Sequence, residues 1–428
     1  MPIYNPITQG GGFFDFELQG GAKIVKKIAP YNASEGVKGS ADYVCEGQDD
    51  QKTIQKVLDK TSKQNEVEIQ LFNGTYIFSA PLEVRKNTKI RGEGENTIIK
   101  IKDNLNADIQ LIQNKDLGSG SDGNIIIENL KLDGNKSNQT QPGGENVIHQ
   151  IGIYFGLVKM SKIRNVWIEN FLNEGIYLLG NAGITIENVQ VKNNEGTGIL
   201  IKESPSIELK NSVIQQNGKS GIYLFNVSNS LIEGNQVIGN KQFGIYLFST
   251  KKKEIATQED FVHQTTQTDL LDNVCRSNFI GLGISNSRDN FVGQGNYNEN
   301  DVGIVLFNSD ENELLGIECK LNKKHGLRII GGQKNLIEQA DIRENSQQED
   351  NKYSGILIRT SNQNEIWDVV IRKGSGSYQQ KYGIELWGPS GAEPDGNKIM
   401  DSDLEYAGKT ANWYNGGTNT INSNNLGI

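Results

Sequence analysis

Three side chains suited to acid–base chemistry lie close together in the sequence. Asp133 is followed by residues 135–150 (NKSNQTQPGGENVIHQ), which contain Glu145 and His149. Hydrolysis of a glycosidic bond needs two carboxyl groups roughly 5–10 Å apart. If residues 135–150 form a projecting loop, Asp133 and Glu145 can meet that condition, with His149 as an orienting group. The alternative is that each is a solvated loop residue or a turn cap.

Aromatic side chains recur at fixed offsets from a repeated glycine. The residues concerned are Tyr177, Tyr223, Phe225, Tyr246 and Phe248. Side chains alternate between the two faces of a strand, so these rings point outward if the Ile after each glycine points inward. A row of rings spaced by about 4.8 Å could stack on the sugars of a long glycan. The alternatives are contact with neighbouring chains and packing against a folded-back loop.

Two arginines and a glutamate are also predicted to point outward on later strands. Arg328, Arg359 and Glu385 follow repeated glycines at the offsets of outward positions. An arginine pair can hold the carboxylate of an acidic sugar, because the guanidinium fork fits that group. The alternative is an ion pair between neighbouring coils.

The scaffold for these side chains is indicated by a 23-residue repeat. Gly followed by Ile recurs at Gly152, Gly175, Gly198, Gly221 and Gly244, and the repeat returns, with Leu or Ile, at Gly283, Gly303, Gly326, Gly355 and Gly383. Each unit contains short apolar–polar–apolar runs separated by Asn, Gly and Ser, which is typical of strands and turns. Units of this length suit one coil of a parallel β-helix, with a second interruption at residues 250–265.

Asparagines recur in two columns of the same repeat, each at its own constant distance from the glycine. The earlier column is Asn165, Asn188 and Asn211, and the later one is Asn194, Asn217, Asn240, Asn322 and Asn345. Stacked coils would let equivalent Asn side chains hydrogen-bond along the axis. Asn also tolerates the left-handed backbone of sharp corners.

The repeat predicts four segments along the chain. Residues 1–40 are Gly-rich and lack the repeat, so they are interpreted as an attachment arm for a partner protein. Residues 41–65 are predicted to hold a capping helix that begins at Asp49 or Asp50 and covers the exposed strand edges. Residues 66–400 are predicted to form the β-helix, and residues 401–428 a tail or cap.

Composition excludes several function classes. The chain has 428 residues and a formal net charge of −9. An acidic chain repels phosphate backbones, which argues against a nucleic-acid partner. No apolar run is long enough for a membrane span, and the first residues lack the features of a secretory signal. Three widely spaced cysteines argue against a zinc site or a disulfide framework. We expect neither a metal nor a cofactor.

Several short motifs resemble those of a known superfamily. They are the Asp49-Asp50 pair opening a helix, Asn73-Gly74-Thr75-Tyr76, Ile90-Arg91-Gly92-Glu93-Gly94, and Leu130 to Asn135 before a long segment. Over residues 41–400 the chain resembles the pectate-lyase-like right-handed parallel β-helices. These include bacteriophage tailspikes and tail fibres, alginate epimerases, polygalacturonases and pectate lyases. The resemblance implies an all-β, single-stranded right-handed parallel β-helix in which one repeat unit forms one coil.

The activity motifs of that superfamily are mostly missing. Alginate epimerases carry Tyr-Gly-Phe-Asp-Pro-His where this chain has residues 174–179, EGIYLL, without Asp or His. Residues 324–329, KHGLRI, echo a polygalacturonase motif, but the paired aspartates upstream are absent. The resemblance therefore implies a fold more than a reaction.

We expect from the resemblance a viral tail spike or fibre-like protein that binds a host surface polysaccharide, with depolymerisation left open. By the same resemblance it is a homotrimer and lies in the virion tail or at an extracellular surface. The alternatives are a free polysaccharide-active enzyme (lyase, glycoside hydrolase or epimerase) and a structural or adhesive β-helix without chemistry.

Overall fold

The computed structural model describes residues 23–60, 66–140, 148–250 and 265–427. Three sequence predictions therefore fall outside the described residues. They are Glu145, most of the 250–265 segment, and residues 1–22 of the expected arm.

Short parallel strands stack into a solenoid with three faces. The first sheet covers two faces, and its 22 described strands are Ile24–Ala29, Tyr43–Val44, Val67–Leu71, Gly74–Phe78, Thr88–Arg91, Thr97–Ile101, Ile125–Asp133, Lys159–Glu169, Ala182–Glu187, Gln190–Lys192, Ile207–Lys210, Val213–Gln215, Ser228–Glu233, Gln236–Ile238, Thr266–Leu271, Val274–Arg276, Phe291–Gly293, Glu313–Leu315, Leu336–Glu338, Glu365–Trp367, Lys398–Met400 and Ile421–Ser423.

The second sheet forms the remaining face, and a small third sheet extends part of the first. The 13 described strands of the second sheet are Leu82–Val84, Ile109–Asn114, Gln150–Gly156, Ile176–Leu179, Ile199–Lys202, Ile222–Phe225, Phe243–Phe248, Ile280–Ser285, Val302–Phe307, Leu327–Ile330, Ile356–Arg359, Tyr382–Trp387 and Ala411–Asn415. The third sheet consists of Glu318–Lys320, Asp341–Arg343 and Val370–Arg372. The predicted right-handed parallel β-helix is confirmed.

The repeated isoleucines form one inward stack, as the 23-residue period predicts. Ile176 pairs with Ile199, which pairs with Ile222, and all three are fully buried. Ile153 and Ile245 continue the stack on either side. Burying a side chain of this size stabilises the folded state by about 1.5–3 kcal/mol, so the stack makes a large contribution to the core.

The repeat was placed two positions too late after the second interruption. Gly244 is equivalent to Gly281, because Ile245 pairs with Leu282 and Tyr246 pairs with Gly283. The prediction of Gly283 as the repeated glycine was therefore wrong. A slip of two positions preserves which side chains face inward, since the side-chain period of a strand is two.

The two asparagine columns have different structural roles. The predicted hydrogen-bonded ladder is confirmed in the later column, and the predicted left-handed corners are confirmed in the earlier one. In the buried column the backbone N–H of each Asn donates to the side-chain oxygen of the next at 2.9–3.2 Å, through Asn194, Asn217, Asn240, Asn278, Asn300, Asn322 and Asn345. We call this row the Asn ladder. The corner column, Asn165, Asn188 and Asn211, has left-handed backbone with φ of 52°, 52° and 49°.

A helix covers the first coils. Helix Gln51–Lys60 buries Ile54, Val57 and Leu58 against strands Gly74–Phe78 and Leu82–Val84. Asp49 or Asp50 was expected to cap this helix. The Asp50 carboxylate instead accepts the backbone N–H groups of Glu46, Gly47 and Ile77 at 2.8–3.1 Å. It therefore ties the segment before the helix to the first coil.

Both ends of the described chain extend the coil beyond the boundaries drawn from the sequence. Within the expected arm, Ile24–Ala29 pairs with Val67–Leu71, and a short helix, Glu35–Gly39, follows it. Within the expected tail, Ala411–Asn415 pairs with strand Tyr382–Trp387.

A single 3₁₀ turn, Lys136–Asn138, follows Asp133. In the parts of the chain described here, neither α-helix has the length and apolar content to cross a membrane.

Candidate functional site on the second sheet

The outward face of the second sheet carries most of the predicted binding residues. Strand Ile222–Phe225 shows the pattern, because Ile222 and Leu224 are buried while Tyr223 and Phe225 are partly exposed. Parallel pairing brings each outward side chain beside its equivalent on the next coil. The scaffold therefore places equivalent outward side chains about 4.8 Å apart, which is the spacing between neighbouring strands.

The predicted rings lie in one row on this face, and two further rings, Tyr154 and Phe243, join them. We call the whole set the ring ladder (Tyr154, Tyr177, Tyr223, Phe225, Phe243, Tyr246 and Phe248). Ring centroids lie 5.0 Å apart for Tyr223 and Tyr246 and 5.6 Å apart for Phe225 and Phe248. The ring of Phe243 stacks on Tyr246 at 4.0 Å with the planes 8° apart. Tyr154 meets Tyr177 edge to face at 5.3 Å. The row is interrupted at Leu200.

Three rings of the ladder, those of Tyr223, Phe243 and Tyr246, stack on one another. Tyr246 has Phe243 against one face and Tyr223 against the other. Gly283 makes this possible, because a Cβ at that position would lie 2.5 Å from the Phe243 ring. Burial raises the pKa of Tyr223 to about 12, so its hydroxyl stays protonated. The stacked faces of Tyr223, Phe243 and Tyr246 are therefore turned toward one another.

A polar group occupies later coils of the same face, and we call it the arginine cluster (His325, Arg328, Ser354, Arg359 and Glu385). Arg359 lies 4.7 Å from the centroid of the Trp387 ring. The Ser354 hydroxyl donates to the Glu385 carboxylate. In the described chain the contacts of Glu385 and Arg359 are with Ser354 and Trp387, and no ion pair joins Arg328, Arg359 and Glu385.

His325 is a buried and neutral member of the cluster. Its side chain is 9% exposed, and its Nδ1 accepts the backbone N–H of Ser354 at 3.0 Å. Burial, together with the positive charges of Arg328 and Lys324, lowers the pKa of His325 to about 3. The same nitrogen also lies 3.1 Å from the carbonyl oxygen of Ser354, so both backbone groups of that residue hold the ring in place.

The two described members of the predicted acid–base group, Asp133 and His149, have different partners. The Asp133 carboxylate accepts the backbone N–H of Asn135 at 2.9 Å and the side-chain amide of Asn170 at 3.2 Å. No hydrogen bond or ion pair joins it to His149, although both are described residues. Glu145 lies outside the described residues, so its pairing with Asp133 stays a prediction.

His149 instead approaches a carboxyl group that the sequence analysis did not select. Its Nδ1 lies 2.6 Å from the amide oxygen of Asn173, whose amide nitrogen donates to both Glu174 oxygens at 2.8 Å. Glu174 is 7% exposed, and burial raises its pKa. Its position directly before Gly175 did not mark it, because other residues in the same position, such as Ser220 and Ser354, are buried as well.

A separate concavity lies on the first sheet. It has a volume of about 480 Å³ and is lined by Ile126, Met160, Ile184 and neighbouring polar residues. None of the residues selected from the sequence lines it. The described residues also contain no group of three His, Cys, Asp or Glu side chains arranged to hold a metal ion.

Comparisons with known proteins agree with the fold. The family model for the right handed beta helix region matches residues 151–257. A search of curated proteins finds no significant match to this sequence.

Solved structures give longer matches at low identity. The A-module of Azotobacter vinelandii mannuronan C-5 epimerase AlgE4 is 19% identical, with a TM-score of 0.64, over 86% of this chain and 95% of that module. The A-module of AlgE6 from the same organism is 18% identical, with a TM-score of 0.61, over 87% and 95%. Pre-mature gene product 12 of bacteriophage phi29 is 12% identical, with a TM-score of 0.67, over 83% of this chain and 50% of that one. At these identities the likeness shows a shared right-handed β-helix fold.

Proposed function

We propose that this protein binds a surface polysaccharide along the outward face of the second sheet, as a viral tail spike or fibre-like protein. The observation that carries the proposal is the ring ladder, a row of partly exposed aromatic side chains on a rigid parallel sheet. Rings and Tyr hydroxyls held in fixed positions can contact apolar and hydroxyl groups of successive sugars at low entropic cost. The fold shared with an epimerase of mannuronan and with a bacteriophage protein supports both halves of the proposal.

The location and assembly belong to the same proposal. The protein lies in a virion tail or at an extracellular surface, forms a homotrimer, and uses residues 1–40 to attach to a partner protein. Light scattering on the full chain tests the assembly, and a mass of three chains is expected. A monomer at micromolar concentration would contradict the homotrimer, and the ring ladder would then be available for ligand contact alone.

Binding is tested with a panel of immobilised bacterial capsular polysaccharides and alginates. Replacing Tyr223 by Ala should weaken binding of the responding polysaccharide about fivefold, because one ring contact contributes about 1 kcal/mol. Tyr378→Ala is the matched control, since Tyr378 is an exposed ring outside the second sheet. Unchanged affinity in a folded Tyr223→Ala protein would remove the ring ladder as the binding surface.

One observation favours the second candidate, a polysaccharide-active enzyme. Glu174 is a buried carboxyl group with a raised pKa, near enough to Tyr177 to raise the pKa of that hydroxyl, and it is linked through Asn173 to His149. A carboxyl group whose pKa is raised by burial holds its proton more strongly than an ordinary one, which suits general acid catalysis.

Product sizing after incubation with the same panel tests catalysis. If the enzyme reading holds, Glu174→Gln abolishes chain shortening while binding is retained. Glu145→Gln tests the acid selected from the sequence in the same way. If the polysaccharide stays intact after incubation with the unmodified protein, the enzyme proposal is contradicted and binding without cleavage is the remaining function.

A further inference from the structure

Several arginines elsewhere in this acidic chain are neutralised by neighbouring carboxylates. Those with a carboxylate within ion-pair distance include Arg91, Arg164, Arg288, Arg343 and Arg372. Across the described residues, neither Arg328 nor Arg359 has such a carboxylate. Both lie on the outward face of the second sheet, where the proposed ligand binds.

Arg328 is the more constrained of the two. Its Nε is buried and has no hydrogen-bond partner, while the residue as a whole is partly exposed. Burial and the nearby charge of Arg359 both lower its pKa. An incompletely solvated charge without a counter-ion is costly, so the cluster is electrostatically incomplete by itself.

The remaining groups of the cluster do not supply the missing negative charge. Glu385 occupies the same column as Arg328 but lies two strands further on, beyond Leu357. Its carboxylate accepts the Ser354 hydroxyl. His325 is neutral, so it supplies no negative charge either.

We propose that Arg328 and Arg359 bind a carboxylate substituent of the polysaccharide, so that the ligand is an acidic glycan. This inference rests on the proposed function and names the class of its ligand. A planar guanidinium forms paired charge-assisted hydrogen bonds with a carboxylate. An anion between the two arginines also relieves their mutual repulsion.

The ring ladder and the arginine cluster are close enough to share one ligand. Three strand spacings separate Tyr246 from Arg328, with Gly283 and Val305 between them. Each spacing is about 4.8 Å, which is close to the length of one sugar unit. One oligosaccharide lying along the solenoid axis can therefore contact the rings and place an acidic substituent at the arginines.

The site is tested directly by NMR of the full chain labelled with ¹⁵N-arginine. Sodium glucuronate is the charged probe and methyl glucoside is the neutral one. The Arg328 Nε–H signal, assigned by its loss in Arg328→Lys, should shift and saturate with glucuronate and remain in place with methyl glucoside. The Arg343 signal, from an arginine paired with Asp341, is the internal control. No saturable shift at Arg328, or an equal shift at Arg343, overturns the proposal.

A second measurement separates this proposal from the function on which it rests. Arg328→Gln should weaken binding of an acidic polysaccharide about tenfold and leave binding of its carboxyl-reduced form unchanged, since a charge-assisted contact is lost. Arg343→Gln should change neither affinity. Binding that depends on Tyr223 but not on Arg328 refutes the acidic subsite alone. Binding that depends on neither refutes the proposed function.

Discussion

The ring ladder and the arginine cluster occupy equivalent positions on one sheet. The rings have packing partners within the folded chain, whereas the arginines lack carboxylate partners in its described part. Tyr246 and Arg328 lie in the same outward column, three strands apart. Tyr246 is enclosed by two neighbouring rings. Arg328 has a buried nitrogen without a partner and a second arginine nearby. The backbone provides the same sites in both regions, and the side chains determine whether those sites stabilise the fold or await a partner.

This difference separates stability from function on a single surface. Stacked rings bury apolar area and contribute to folding even if they also contact a sugar. Charges without a counter-ion oppose folding, so their presence indicates a role other than stabilising the fold. The following variants test that division, from the largest expected effect to the smallest.

The scaffold common to both regions should be the most sensitive to change. Asn217→Ala removes a side chain whose oxygen accepts the Asn194 backbone N–H and whose amide donates to Val191 O at 3.2 Å. Buried groups left unsatisfied cost about 1–3 kcal/mol each, so a loss of about 3 kcal/mol in unfolding free energy is expected. Thermal and urea unfolding measure it.

The control for this variant is Asn211→Ala, at an exposed left-handed corner of the same coil. It should cost about 1 kcal/mol, because an Ala in left-handed backbone is strained. Equal losses in the two variants would contradict a structural role for the Asn ladder.

A ring in the ladder should stabilise the fold measurably. Tyr246→Ala removes the ring that lies between Phe243 and Tyr223, and a loss of about 2–3 kcal/mol is expected from the lost burial and ring contacts. The same unfolding measurements apply, with Tyr378→Ala as an exposed-ring control. If Tyr246→Ala is as stable as the control, the rings do not support the fold, and the contrast with the arginine cluster fails.

The architecture was predictable because the solenoid repeats its requirements. Each coil needs an inward Ile and a left-handed corner, so Ile199, Ile222 and Asn188 recur at a constant spacing and expose the period. Irregular spacing hid other features. A later buried row of asparagines was missed, because insertions lengthen the sequence distance between neighbouring members from 22 to as many as 33 residues. The row consists of Asn290, Asn312, Asn335, Asn364 and Asn397.

The site was less predictable, because its chemistry depends on contacts between coils. The outward positions of Tyr223 and Arg328 follow from strand alternation, and both were selected correctly as outward-facing. That Tyr246 is covered on both faces depends on Gly283 in the next coil, which the misplaced repeat obscured. Glu174 was passed over because its burial arises from packing that no local pattern in the sequence records.

Acid should destabilise the arginine cluster and leave the ring ladder unaffected. The pKa of His325 is about 3 in the folded protein against an ordinary value of 6.5. The unfolded chain therefore takes up a proton near pH 6.5 that the folded chain refuses until about pH 3. Stability from this group is fully present above the ordinary pKa and decreases as the pH falls towards the folded one.

The expected loss from His325 is on the order of 2 kcal/mol between about pH 7 and pH 4.5. Unfolding free energies of the unmodified protein and His325→Gln across this range measure it. The variant should lose less stability over the range, while Tyr246→Ala should show the same acid dependence as the unmodified protein. An acid dependence unchanged in His325→Gln would place the titrating group elsewhere.

The smallest effect should have the opposite sign. Arg328→Met keeps most of the side-chain volume and removes a charge that no neighbouring carboxylate in the described chain neutralises. A gain of about 1 kcal/mol in unfolding free energy is therefore expected. The matched control is Arg343→Met, because Arg343 pairs with Asp341 at the surface. Its removal should cost about 0.5 kcal/mol or less.

The stability and binding of Arg328→Met together decide what the charge is for. A gain in stability with a loss of acidic-polysaccharide binding would show that the folded protein tolerates this charge for the sake of a ligand. A loss of stability would instead make Arg328 a structural residue, and the two regions of the sheet would then differ in composition alone.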